Sequence, residues 1–504
     1  MSKSLFKSSF IFASLTFLSR ILGLVRDQLI AIFYGASLYT DAFFVAFKIP
    51  NFFRRMFGES AFAQVFVPIL AEAKKNDQLK FVVNIVGTKF FTILILLTLL
   101  LVSLSPIFIM IFAWGYFIND DPTQYNLATE MLRITGFYLF FISISAFAGS
   151  IFNFYEKYAI QSFTPVLLNV ILIIFILFFY NHFESPIFAL AWGVFFGGLL
   201  QFFFQIPFLY KLKLIPSFVW KSNSYTKKFY KRILPTLFSV SITQINIFID
   251  LAIATFLVSG SVTWLYYSDR FMELPLAIIS ISISTVSLTK LSSLFNDKNI
   301  SEFNRIFNTA IKYILIFTVP SSIGLIMLAE PIIFSTLQYK SFSVDDALLT
   351  SQSLVAYSIG LTSFSLAKVL VTFFVSQGDT RTPVKASFVA MLVNLILSIL
   401  LSTIIGHIGL ALATSIAGVS NLILLYIFAL KNNSIKIVFN FDYLPKIVIA
   451  SFAMFIAIFF LLNETVFYIE SSAIDRILNL FINISIPGLV YFLVIKYLGI
   501  DFRK

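Results

Sequence analysis

The sequence predicts an all-α polytopic membrane protein with fourteen transmembrane helices, arranged as two parallel six-helix lobes plus two extra C-terminal helices. Three observations carry this. First, of 504 residues 59% are hydrophobic and only 12% charged, where a soluble chain carries roughly 25% charged residues. That leaves too little polar surface to cover a water-facing globule. A bilayer crossing takes about 20 apolar residues, so fourteen would use roughly 280, which the apolar content supplies. Second, basic residues alternate from loop to loop. Third, the chain repeats itself.

The same totals exclude other classes. No cysteine is present, so there is no disulfide framework, thiol nucleophile or thiolate metal site. The only histidines, His182 and His407, fall in short loops, and no histidine metal site is expected. A net charge of +12 reads as the positive-inside bias, with no nucleic-acid partner implied. Lys3 and Lys7 before an apolar run resemble a signal peptide. No small-x-small cleavage site follows, and Arg20 and Arg26 interrupt the run, so a retained first span is expected.

The spans are expected near 8–34, 38–72, 81–113, 128–152, 159–180, 186–210, 231–258, 262–290, 304–329, 346–376, 384–404, 408–430, 444–463 and 475–497. With these limits one side of the membrane collects Lys3 and Lys7, Lys74, Lys75 and Lys80, then Lys157, the 211–232 cluster, Lys290, Lys298, Arg305, Arg381, Lys385, Lys431, Lys436, Lys446, Lys496, Arg503 and Lys504. The opposite loops hold only Lys340 and Arg476 among acids such as Asp120, Asp121, Glu184, Asp345, Asp346, Glu464 and Glu470. Both termini are therefore expected in the cytoplasm. The 211–230 loop, basic and aromatic, reads as a membrane-lipid anchor.

The repeat has an offset of about 220 residues, the length of six spans with loops. Lys48-Ile49-Pro50 answers Glu273-Leu274-Pro275, Thr164-Pro165-Val166 answers Thr382-Pro383-Val384, and Ala189-Leu190-Ala191 answers Gly409-Leu410-Ala411. An even number of spans keeps both copies in one orientation, the layout of an alternating-access carrier with its site between the halves. The expected domains are 1–215, 216–432 and 433–504.

Ionisable residues inside spans are the informative ones. These are Arg20, Arg26 and Asp27 in the first, Asp41, Lys48, Arg54, Arg55 and Glu59 in the second, Asp250 in the seventh, and Asp269, Arg270 and Glu273 in the eighth. A central arginine costs about 2.5–3.5 kcal/mol on insertion scales, so these should face protein or a wet cavity. Arg55 and Glu59 stand four apart and can pair. Basic residues outnumber acids in the N-terminal lobe, which points to an anionic ligand, and guanidinium forks suit phosphate oxygens.

At these residues the sequence resembles the MurJ (MviN) family of lipid II flippases, within the multidrug/oligosaccharidyl-lipid/polysaccharide exporter superfamily. The resemblance is carried by Ser19-Arg20-Ile21-Leu22-Gly23-Leu24-Val25-Arg26-Asp27, by Thr40-Asp41-Ala42-Phe43-Phe44, by Phe53-Arg54-Arg55, by Tyr266-Tyr267-Ser268-Asp269-Arg270 and by Asp379-Thr380-Arg381-Thr382-Pro383. It implies that Arg20, Arg26, Arg54 and Arg270 bind the diphosphate-sugar headgroup, and that the extra C-terminal helices form a lipid-tail groove. Asp27, Asp41, Arg55, Glu59, Asp269 and Glu273 would be gating or ion-pair partners. Sodium-coupled members suggest a cation site at Asp250, Asn394 and Thr414, although the carboxylate expected one turn after Asn394 is Ser398 here.

The function expected is inward-to-outward translocation of lipid II across a bacterial inner membrane during peptidoglycan synthesis. No bond is made or broken and no cofactor is implied; energy would enter through the membrane potential or coupled Na+. Membrane lipids and other peptidoglycan-synthesis proteins are the further partners expected. Two rivals of the same superfamily are a flippase for another lipid-linked oligosaccharide and a cation-coupled drug exporter, which would favour acids over five basic residues in the first lobe. A membrane glycosyltransferase would need a carboxylate or metal cluster at a membrane face and larger loops.

Overall fold

The computed structural model describes residues 3–54, 61–432 and 440–500, and every regular element among them is helical. The chain divides into two compact units, Met1–Ser259 and Gly260–Lys504. The first holds α1 (Lys3–Tyr34), α2 (Leu38–Arg54), α3 (Ala61–Lys75), α4 (Leu79–Ser103), α5 (Ser105–Phe112), α6 (Trp114–Ile118), α7 (Thr123–Thr135), α8 (Tyr138–Phe154), α9 (Tyr158–Phe179), α10 (Phe188–Lys211) and α11 (Ser224–Ala254). The second holds α12 (Ser261–Pro275), a π-helical turn (Leu276–Ile281), α13 (Ser282–Asn296), α14 (Ile300–Met327), α15 (Ala329–Thr336), α16 (Val344–Ser376), α17 (Arg381–Leu430), α18 (Leu444–Leu461), α19 (Thr465–Glu470) and α20 (Ala473–Tyr497).

Ten helical stretches among the described residues are long and apolar enough to cross a membrane. One of them, α17, runs 50 residues; a straight helix of that length would reach roughly 75 Å, far beyond the ~30 Å apolar core. It breaks at Ile405 and Gly406, where Gly406 takes φ +58°, a conformation glycine adopts without penalty. Gly409 then lies so close to the Leu401 carbonyl that no Cβ fits.

In the first unit, α9 lies between α1 and α10. Gly193 and Gly197 of α10 meet Leu172 and Leu168 of α9, the small-residue contact that lets helices approach where water gives no hydrophobic drive. The buried core gathers Phe62, Phe66, Phe90, Phe147 and Phe229 from α3, α4, α8 and α11. By packing, α11 belongs to this unit: it lies against α3, α4, α5 and α6. The boundary in space at 259/260 thus falls one helix after the 215/216 boundary expected from the sequence repeat.

In the second unit α16 is the centre, packed by α12, α13, α14, α15 and α17. It starts on a capping box, with Ser343 Oγ accepting from Asp346 N while Asp346 Oδ2 accepts from Ser343 N, both at 3.0 Å. Asp346 also accepts from Trp264 Nε1 at 2.9 Å, and His407 packs on Trp264 while Ser353 bonds its Nδ1 at 2.6 Å. α18 and α20 pair, and Tyr491 of α20 donates to the Ile316 carbonyl of α14 at 2.6 Å.

Candidate functional site

In the first unit the charges gather on α1 and α2. Arg26 and Asp27 are both buried at 6% exposure. Arg26 Nε and Nη2 donate to Asp27 Oδ1 at 2.9 and 2.5 Å, and Arg26 Nη1 donates to Asn169 Oδ1 of α9 at 2.9 Å. Asn169 Nδ2 turns back to the Ser19 carbonyl, again at 2.9 Å. One amide therefore ties a guanidinium and an α1 backbone carbonyl to α9. Neighbouring helix positions do not normally face each other; the long arginine stem allows this pair.

Arg20 lies near the middle of α1 and is exposed, and no described residue pairs with it. Asp41 is 2% exposed in the first turn of α2. Burial, with the Asp41 carboxylate nearby, pushes the Tyr116 hydroxyl of α6 well above its ordinary value, so that group remains a neutral donor. Arg54 is half-buried in the last turn of α2, with Nε donating to Asn51 Oδ1 at 2.5 Å. Lys48 is half-buried on the same helix. Arg55 and Glu59 lie outside the described residues. Asp250 is half-buried in α11, two residues past Phe248, whose ring meets Phe52 of α2 and Phe112 of α5.

In the second unit Arg270 lies 5.2 Å above the Tyr266 ring, donates to the Tyr266 hydroxyl from Nε and Nη2 at 3.3 and 3.2 Å, and pairs with Glu273 at 3.8 Å. Both members of that pair are about two-fifths exposed. Asp269 is half-buried beside them. Glu273 also lies within electrostatic reach of Lys368 on α16. Asn394 and Ser398 of α17 are fully buried, while Thr414 is half-buried and donates to the Leu410 carbonyl at 3.0 Å. These three fall in the second unit and Asp250 in the first. Among the described residues no group of three or more His, Cys, Asp or Glu could hold a metal ion.

The sequence reading did not single out three contributors: Asn169, Tyr266 as a partner of Arg270, and Lys368. Two had a signal. Asn169 is the one polar residue in the apolar run 165–179, and Lys368 is the one charge in α16 beyond its first turn. A polar group inside a span is a functional or pairing site by default.

Each unit thus carries partly exposed arginines on its helices, Arg20 and Arg54 in the first and Arg270 in the second. Comparison with known proteins identifies the family. The family model described as Lipid II flippase MurJ matches residues 30–481. A probable lipid II flippase MurJ of Buchnera aphidicola subsp. Schizaphis graminum is 36% identical over 492 residues, covering 96% of this chain and 95% of that protein. Its counterpart from Vibrio cholerae is 39% identical, covering 84% and 83%. A solved lipid II flippase MurJ in an inward closed conformation superposes with a TM-score of 0.83 at 30% identity, covering 98% of this chain and all of the other. An inward-facing multidrug resistance MATE transporter of the MOP superfamily shares the fold alone, with a TM-score of 0.69 at 13% identity over 83% of this chain and 96% of that one. By its sequence along nearly its whole length and by its all-helical membrane fold, the chain belongs to the MurJ family of lipid II flippases.

Proposed function

We propose that this protein carries lipid II from the inner to the outer leaflet of a bacterial inner membrane by alternating access, as a transporter with no covalent step. One observation carries the reading beyond family membership: Arg20 stands exposed at the middle of a 32-residue helix with no partner among the described residues. A guanidinium at that depth needs an anion or water, and the lipid diphosphate is such an anion. Arg20, Arg26, Arg54 and Arg270 are the headgroup ligands in this scheme. Asp27, Asp41, Asp269 and Glu273 hold the cations between transport events, so that cargo and carboxylates compete for the same guanidinium groups.

The topology follows from the same reading. The ten apolar stretches, with α17 counted twice at its break and α1, α2–α3 and α11 added, make fourteen passes. Both termini then lie on the basic, cytoplasmic side. Two six-helix lobes, 1–215 and 216–432, are followed by two helices, 433–504, that hold the lipid tail. The membrane potential supplies the driving force; Asp250, Asn394 and Thr414 are the oxygens for a coupled Na+.

Complementation tests this. The chain is expressed in a bacterium depleted of its own lipid II flippase, and lipid II exposed on the outer leaflet is measured. Wild type is expected to restore exposure, and a well-inserted Arg20→Ala variant is not. A correctly inserted wild type that leaves lipid II inside would sink the cargo assignment. An Arg20→Ala variant as active as wild type would remove that residue from the site.

A further inference from the structure

At the basic end of the second unit a cavity of about 450 Å³ opens between the first turns of α14, the start of α18 and the residues after α20. Arg305, Lys312 and Lys446 line it, with Asp442 and Tyr443. Two helix N-termini reach this end, and their dipoles favour negative charge. Glu302 takes Arg305 from Nε, at 2.7 Å, and from Nη2. Arg305 Nη1 and Lys446 Nζ are left without an acceptor among the described residues. The Tyr443 hydroxyl is buried with no hydrogen-bond partner, and burial pushes its pKa up to about 12. It is a neutral donor at any physiological pH. Three donors lacking acceptors among the described residues thus line one cavity; of these the Tyr443 hydroxyl is buried, and a buried donor left unmade is costly.

The lining is basic: Arg305, Lys312 and Lys446 stand against Asp442, with Glu302 bonded to Arg305 and Lys290 on the adjoining groove. That excess of positive charge suits an anionic headgroup. A second cavity of about 430 Å³ follows directly, sharing Arg305 and Thr309. It runs along α13 and α14 between Val286, Ile306 and Ala310, with Lys290 at its edge. A cationic cavity that continues into an apolar groove has the shape of an amphiphile.

We propose that these joined cavities bind an anionic phospholipid of the surrounding leaflet, its phosphodiester held by Lys446, Arg305 and Tyr443 and one acyl chain lying along α13 and α14. The site shares no residue with the cationic set that we assign to lipid II, so the two assignments can fail separately. Bound lipid would tie α14, α18 and α20 together at one end, and basic residues near a membrane surface already concentrate such lipids there.

Native mass spectrometry of the full-length chain in detergent, titrated with phosphatidylglycerol or phosphatidylcholine, tests it. Wild type should retain phosphatidylglycerol in preference to phosphatidylcholine. Lys446→Ala should weaken retention about tenfold and Tyr443→Phe about threefold, the sizes expected for a charged and a neutral hydrogen bond. Lys446→Arg should keep the preference, and Lys496→Ala, an exposed charge at the same end, should match wild type. Thermal midpoints of the variants identify any that fail to fold, and Lys446→Arg then decides. Equal retention of both lipids, or equal losses in Lys446→Ala and Lys496→Ala, would overturn the proposal. Displacement of phosphatidylglycerol by glycerol phosphate at equal concentration would overturn it in favour of a soluble phosphate ester.

Discussion

Replacing Asn169 or Asp27 separates the structural role of the α1 site from the cargo-binding role proposed for it. Asn169→Ala removes two bonds, the 2.9 Å bond from Arg26 and the 2.9 Å bond to the Ser19 carbonyl. A charge-assisted bond contributes about 1.5–3 kcal/mol and a neutral one about 0.5–1.5 kcal/mol. Within a membrane protein such bonds have measured about 0.6 kcal/mol on average, with a maximum near 1.7 kcal/mol, because the unfolded chain also finds partners. The low end, about 2 kcal/mol, is therefore expected for Asn169→Ala. Asp27→Ala removes the carboxylate that accepts from two nitrogens of a guanidinium only 6% exposed, a change of about 3–5 kcal/mol. Unfolding of the purified chain in mixed micelles measures both, and the double variant should lose less than the sum, since the two residues share one guanidinium. An Asp27→Ala variant within about 0.5 kcal/mol of wild type, or strict additivity, would refute the idea that Arg26 is held by this pair. Arg26→Met combined with Asp27→Leu should recover stability relative to Asp27→Ala while leaving lipid II unexposed, because the ligand proposed for the cargo is the guanidinium.

Other sites give distinct outcomes. Arg476 is 7% exposed and donates to the carbonyls of Ser471, Gln338 and Ile469 and to Gln338 Oε1; Arg476→Lys, which cannot reproduce that planar fan, should lower stability by about 1.5–3 kcal/mol in the same micelle assay. Gly115 packs against the Thr255 backbone and donates to Thr255 Oγ1 at 3.1 Å, so Gly115→Ala should destabilise by about 1–3 kcal/mol, since backbone gives way less readily than a side chain. The Arg270–Glu273 pair is half exposed at 3.8 Å, and Glu273→Gln should change stability by less than about 1 kcal/mol. A large loss of lipid II exposure in that variant would then report on transport. If Glu273 is shared between Arg270 and Lys368, Lys368→Met and Glu273→Gln should show non-additive transport rates, and additive ones would separate them.

How far the sequence reaches depends on what each feature requires. Helix positions were legible because hydropathy and loop charge act locally: the expected spans near 159–180 and 444–463 meet α9 at Tyr158–Phe179 and α18 at Leu444–Leu461. The costly charges were legible for the same reason, since Arg20, Arg26 and Arg270 stand out in apolar runs whatever they touch. Their partners were not. Asn169 lies 143 residues from Arg26, and nothing local marks which helix will lie beside α1. The stray basic residue Arg476 broke the loop-charge pattern, and its burial among carbonyls explains why: it serves as a structural hydrogen-bond donor at the head of α20. The expected repeat is read from sequence pattern, whereas the compact units follow from packing, and α11 packs with the first unit beyond the expected boundary.

The π-helical turn at Leu276–Ile281 has a consequence for how the eighth span reads as a surface. A π turn holds more residues than an α turn, and each residue advances a helix by about 100°. The face carrying Asp269, Arg270 and Glu273 on α12 therefore is not continued by the same heptad phase on α13. No single helical wheel drawn through 261–296 can be right, because the turn acts as a phase shift between α12 and α13. A chimera that joins α12 of this chain to the helix matching α13 in a relative would need its junction within 276–281, where a change of phase is already built in.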